Sequence, residues 1–164
     1  MPASRFNGDH DKDKYGKHHQ PLRDGLVAGF VAAVTSGAPS TIWALWTDGD
    51  VLEATRAAGA MLIPADSSVL SLIIAAAIVH MSVSLFWAIV VAGTVPARHA
   101  IIASLVAGAA IAVLDLRIIA LLFDEVYALP FWPQFADHLA WGLTVGAVLK
   151  WRAQSHSSAI KGTR

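Results

Sequence analysis

The sequence predicts an all-α integral membrane protein: a four-helix bundle of membrane spans, both termini cytoplasmic, with a short interfacial helix between the first and second spans. Three observations lead there. The 164-residue chain is 55% hydrophobic and 15% charged, with a mean hydropathy of +0.55, whereas soluble domains carry about 25% charged residues. Apolar runs of about 20 residues, enough to cross a bilayer core, recur along it. The basic residues also alternate between connections. Arg5, Lys12, Lys14, Lys17 and Arg23 precede the first span, Arg98 follows the second, and Lys150, Arg152, Lys161 and Arg164 end the chain. The other two connections hold Arg56 against Asp48, Asp50, Glu53, Asp66, Asp124 and Glu125. With both termini inside, every connection obeys the positive-inside rule.

Residues 1–21 alternate Asp9, Asp11 and Asp13 with Lys12, Lys14 and Lys17, and add His10, His18 and His19. Too few apolar residues are present to build a core, so this segment reads as a mobile tail. Its histidines and aspartates would hold a divalent metal weakly at best. The tail is too polar for a cleavable signal peptide, which makes the following apolar stretch an uncleaved anchor.

A transmembrane domain over 22–152 follows. Its first span, about 23–46, repeats Gly25, Gly29, Ala33 and Gly37 on one helix face, a seam that lets a neighbouring backbone approach closely. Pro39 cannot donate to the Thr35 carbonyl, so the Ser36–Thr41 stretch kinks or unwinds briefly. The freed groups either line a site, as in broken transporter helices, or are satisfied by Ser36, Ser40 and Thr41 themselves, the simpler reading. Between Thr47 and Pro64 the Asp50/Glu53 spacing suits a capping box, and the partly apolar run Val51–Ile63 suits a short helix at the membrane surface.

The second span, about 67–93, starts at Asp66 or Ser67 as a cap and carries His80 near its middle, with Ser84 and Trp87 on the same face. The third, about 97–123, has a second small-residue seam at Ala100, Ser104, Gly108 and Ala112, continued by Asp115. Arg117 lies two residues on, too far around the helix to pair with Asp115, but long enough to extend toward the headgroups. A carboxylate in hydrocarbon costs a few kcal/mol, so Asp115 needs a partner or a cavity. Tyr127 and Trp132 in the next connector suit an interfacial aromatic belt. The fourth span, about 133–152, opens with Pro133 in its first turn and aligns His138, Gly142 and Gly146 on one face. Residues 153–164 read as a second disordered tail.

The helix-packing residues are therefore Gly25, Gly29, Gly37, Ser104, Gly108, Gly142 and Gly146. Ser36, Pro39, Ser40, His80, Asp115, Arg117, Asp137 and His138 are candidates for a polar pocket open to the outer side. The absence of cysteine removes disulfides, thiolate metal sites and a cysteine nucleophile. Zero net charge and no basic stripe give no sign of a nucleic-acid partner. His80 and His138 differ by roughly 10 Å in depth, which argues against a bis-histidine haem. Di-metal Glu-x-x-His pairs, nucleotide-binding glycine loops and nucleophile elbows are missing too. No cofactor or metal is expected.

The Gly25-Leu26-Val27-Ala28-Gly29 start, and His80 followed by Ser82 or Ser84 and Phe86, form one half of a pattern. An acidic, aromatic connector leading to Asp137-His138-Leu139-Ala140-Trp141-Gly142 completes it. Over residues 22–150 this resembles the YagU-type group of small bacterial inner-membrane proteins. The resemblance implies a bacterial inner (cytoplasmic) membrane location and a role in envelope or acid stress, and it carries no catalytic residues across. The expected function is a non-enzymatic structural, accessory or stress-related membrane component, held in a homo-oligomer or a larger membrane complex. The alternative is a small oligomeric transporter or channel with a proton- or cation-sensitive site at Asp115 and His80 or His138.

Overall fold

The computed structural model describes residues 10–161, with side chains over 21–155. In chain order it forms α1 (His10–Thr35), α2 (Ala38–Trp46), α3 (Glu53–Ala60), α4 (Val69–Thr94), α5 (Ala100–Arg117), α6 (Asp124–Tyr127) and α7 (Phe131–Lys161), with 3₁₀ turns at Ala97–His99 and Ile119–Leu122. Among the described residues there is no strand. Three stretches are long and apolar enough to cross a membrane: Pro21–Trp46, Val69–Thr94 and Ala97–Leu122. Large apolar side chains such as Phe30, Val34, Leu70, Ile78, Phe86, Ile102 and Val106 point outward. Contiguous surface of this kind is rare on soluble monomers, and its natural solvent is lipid.

The core is made of small and medium side chains from four helices: Ala28 and Ala32 of α1, Ala88 and Val91 of α4, Ala100 and Ile111 of α5, and Trp141, Val145 and Leu149 of α7. Glycine seams set the spacing. A Cβ on Gly25 would lie 2.7 Å from Ile89 Cα, and one on Gly29 3.0 Å from Leu85 Cα, so α1 and α4 touch backbone to backbone. On the other side a Cβ on Gly108 would strike the His138 carbonyl oxygen, one on Gly142 the Ser104 carbonyl oxygen, and one on Gly146 would lie 2.6 Å from Ile101 Cα. The pairings run in opposite directions along both helix pairs, so α1 is antiparallel to α4 and α5 to α7. Without a hydrophobic drive between helices in lipid, this close approach and the dispersion contact it permits are what hold such helices together. Ser104 belongs to the same seam by size, because its buried Oγ has no hydrogen-bond partner among the described residues.

Several expectations need correction. Gly37 has nothing within 4 Å of where a Cβ would stand; the helix breaks at Ser36–Gly37, which takes Gly37 out of the α1 seam. The third apolar stretch is not one α-helix to residue 123, because α5 stops at Arg117 and Ile119–Leu122 continue as a 3₁₀ turn. Hydropathy registers apolar residues but not a helix end among them. Ser68, rather than Asp66 or Ser67, caps α4 by accepting from Ser71 N at 3.2 Å. The capping box at Asp50 and Glu53 does not form: Leu52 is the cap of α3, and Asp50 instead accepts from Leu52 N and pairs with Arg56. α3 is shorter than expected and lies against α4, where Gly59 meets Leu72. Finally, α1 begins at His10 and α7 continues to Lys161, so parts of both segments read as tails are helical. The side chains of His10, His18 and His19 lie outside the described residues.

Candidate functional site

The break between α1 and α2 exposes backbone groups that hydrocarbon would not satisfy. The chain fills them itself. The Gly37 carbonyl accepts from Ser40 Oγ at 3.2 Å, Thr41 Oγ1 at 2.8 Å and Thr41 N at 3.2 Å. Pro39 sits in the first turn of α2, where a missing N–H costs nothing. The next orphan donor, Ser40 N–H, is taken by Asp137 Oδ1 at 2.9 Å. A carboxylate of α7 thus caps α2 from another helix, at the end where the helix dipole favours negative charge.

Between α1 and α4, residues four apart on one helix reach carbonyls four apart on the other. His80 Nε2 lies 3.0 Å from the Ala33 carbonyl oxygen and 3.3 Å from Ser36 Oγ. A ring nitrogen facing a carbonyl must carry the proton. One turn on, Ser84 Oγ donates to the Gly29 carbonyl at 2.8 Å and accepts from Trp141 Nε1 at 2.8 Å. That relay joins α7, α4 and α1 in the middle of the core.

Asp115 finds its partner on α7. His138 Nε2 stands 3.2 Å from Asp115 Oδ2, while Nδ1 stands 2.8 Å from the Gln134 carbonyl oxygen. Nδ1 must donate, so Nε2 has two ways to bond. Either the ring is imidazolium against carboxylate, or neutral imidazole accepts from a carboxylic acid. Both forms are net neutral, which suits a pair whose side chains are 23% and 28% exposed. Arg117 turns away from this pair: its guanidinium lies 4.2 Å over the Phe131 ring.

The eight expected site residues are thus not gathered in one pocket. Ser40, Asp137, His138 and Asp115 form one connected run along α7, Ser36 and His80 form a separate contact one turn away, and Arg117 stands apart. A cavity of about 90 Å³ opens between α2, α3 and the start of α7, lined by Trp43, Thr47, Glu53, Pro130, Pro133 and Gln134 among others. Of the expected residues Ser40 alone reaches it. Among the described residues no three His, Asp or Glu side chains converge in a metal-binding arrangement.

Two polar links escape sequence reading. The Asp24–Arg152 ion pair, both side chains largely buried, ties the start of the apolar part of α1 to the end of that of α7. The available signal was that Asp24 opens one apolar stretch and Arg152 closes another, but Arg152 reads from sequence only as a topology charge. Trp141 reads as one more apolar residue until its N–H is seen to meet Ser84. No family model, curated protein or solved structure matches this chain.

Proposed function

We propose that the chain is a four-span integral membrane protein of the bacterial inner membrane, with α7 as the fourth span and both termini cytoplasmic, acting as a non-enzymatic structural or accessory component of a membrane assembly. The observation that carries this reading is where the polar side chains within the spans go. Asp137 is used to cap α2, His80 to close the α1–α4 seam, and Asp115 and His138 to neutralise each other. Groups that carry a cargo must exchange their partners for it, and these are engaged in holding the helices together. The Asp24–Arg152 pair joins the first and last long helices at one end, which supports an even number of crossings. Membership of the YagU-type group would fit this role, and it stands as a proposal.

The chain contains no cysteine, so single-cysteine reporters test the topology cleanly. Thr47→Cys and Ala128→Cys are expected to react with a membrane-impermeant maleimide in intact cells, and Ala97→Cys only after permeabilisation. The reverse pattern, or all three alike, would sink the four-span arrangement. The accessory role is tested by weighing the native assembly in mild detergent. A second copy or a different membrane protein is expected at fixed stoichiometry, and a consistently solitary monomer overturns the role.

One observation favours transport as a second reading: the Asp115–His138 pair remains about a quarter exposed and adjoins Asp137. Asp115→Asn separates the two readings. An amide can donate to neutral His138 and keep the packing, but it cannot exchange a proton. Proton-driven flux in liposomes that this change abolishes would make transport the better reading.

A further inference from the structure

Arg117 is the polar residue of the candidate set whose charge nothing in the fold answers. Arg56 pairs with Asp50 and Arg152 with Asp24, but no carboxylate among the described residues lies within ion-pair distance of Arg117. Asp115, two residues back, is turned to His138. Asp124 and Glu125, in the first turn of α6, form no ion pair with it. The side chain is nevertheless held in place. It lies 4.2 Å over Phe131, and Phe131 is itself packed edge-on against Trp132 at 5.1 Å and stacked on Phe135 at 5.6 Å. A guanidinium resting on a ring keeps its N–H donors at its rim, in the fork that matches two oxygens of a phosphate.

The surroundings choose the ligand. Val106 and Val113, on the face of α5 that leads up to Arg117, are 64% and 48% exposed, and Tyr127 and Trp132 are 62% and 73% exposed. Exposed aliphatic side chains of an apolar run belong among acyl chains, and exposed Tyr and Trp belong at the headgroup level. A free anion has no use for such a border; a lipid uses both parts of it. We propose that Arg117, seated on Phe131, binds the phosphodiester of an anionic membrane lipid, with the acyl chains running back along Val113 and Val106 of α5. This site rests on the membrane reading given above.

The test is native mass spectrometry of the full chain released from phosphatidylcholine nanodiscs containing a minority of phosphatidylglycerol. Wild type is expected to retain phosphatidylglycerol in preference to phosphatidylcholine. Arg117→Gln should cut that preference roughly tenfold, as loss of a charged hydrogen-bonding partner does. Phe131→Leu, which keeps the cation and removes its platform, should cut it about two- to fivefold, the size of an exposed cation–π contact. If the glutamine variant does not reconstitute, Arg117→Lys serves in its place, with the charge kept and the fork lost, and an intermediate preference is expected. Equal retention by wild type and the variants overturns the site. Displacement of the lipid by millimolar inorganic phosphate overturns the lipid assignment in favour of a free anion. Failure of wild type to enter the bilayer, with neither lipid retained, counts instead against the membrane reading.

Discussion

Gly142→Leu is expected to prevent the helices from assembling. At this position a Cβ would strike the Ser104 carbonyl oxygen and lie 3.1 Å from Leu105 Cα. Those atoms are backbone, so no rotamer change makes room, and the whole of α5 must move away from α7. Overpacking where side chains can adjust costs about 1–3 kcal/mol. Gly142→Ala is expected at the upper end of that range, and leucine beyond it. The movement would not be local. Gly108 meets the carbonyl of His138 one turn away, so displacing α5 also pulls Asp115 from His138 and leaves two titratable groups in apolar surroundings. Thermal unfolding followed by circular dichroism in mild detergent reads the effect. Gly37→Ala is the control, because nothing lies within 4 Å of that position and its φ of −76° suits any residue. A change within about ±0.5 kcal/mol is expected there. Equal losses at Gly37 and Gly142 would mean that the close approach of α5 and α7 does not govern stability.

The contrast between those glycines shows what sequence periodicity reveals and where it stops. Spacing by four named Gly25, Gly29, Ser104, Gly108, Gly142 and Gly146, and each lies where one helix crosses another. It also named Gly37, because periodicity continues through a helix break that the local chemistry of Pro39 only partly announces. The polar residues show a related limit. That Asp115 needs a partner followed from the cost of a carboxylate in lipid, and that Ser40 could satisfy backbone groups followed from Pro39. Which residues would meet was not legible. The partners lie 23 residues apart for Asp115–His138 and 97 for Ser40–Asp137, and those separations are fixed by helix order, not by any local pattern. Arg117 was legible by exclusion: two residues of helix place it too far around to pair with Asp115, and no carboxylate among the described residues pairs with it.

Trp141→Ala is expected to cost nearly as much as the glycine change, for the opposite physical reason. Trp141 is 6% exposed and its ring belongs to the core cluster that includes Ala28, Ala32 and Ala88. Neighbours so small cannot collapse into the space left by an indole, so the cavity stays open. Loss of a buried Trp costs about 3–5 kcal/mol. Trp141→Phe separates volume from hydrogen bonding. It keeps most of the ring but removes the donor to Ser84 Oγ, and Ser84 still donates to the Gly29 carbonyl. An interhelical hydrogen bond in a membrane contributes about 0.6–2 kcal/mol, so phenylalanine should be the milder change. In the Ser84→Ala/Trp141→Phe double variant the loss should fall short of the sum of the two single losses, since both remove the same bond. Strict additivity would show that the relay from α7 through Ser84 to α1 contributes nothing as a unit. Trp141 and Gly142 are neighbours turned about 100° apart on one helix, so at this level α7 turns a bulky side chain toward Ser84 of α4 and a bare glycine toward α5. A helix built that way fixes its own rotation: turning it would drive the indole into the α5 backbone and open a void beside α4. That is why the polar residues one turn away, Asp137 toward α2 and His138 toward α5, reach different partners despite being adjacent in sequence.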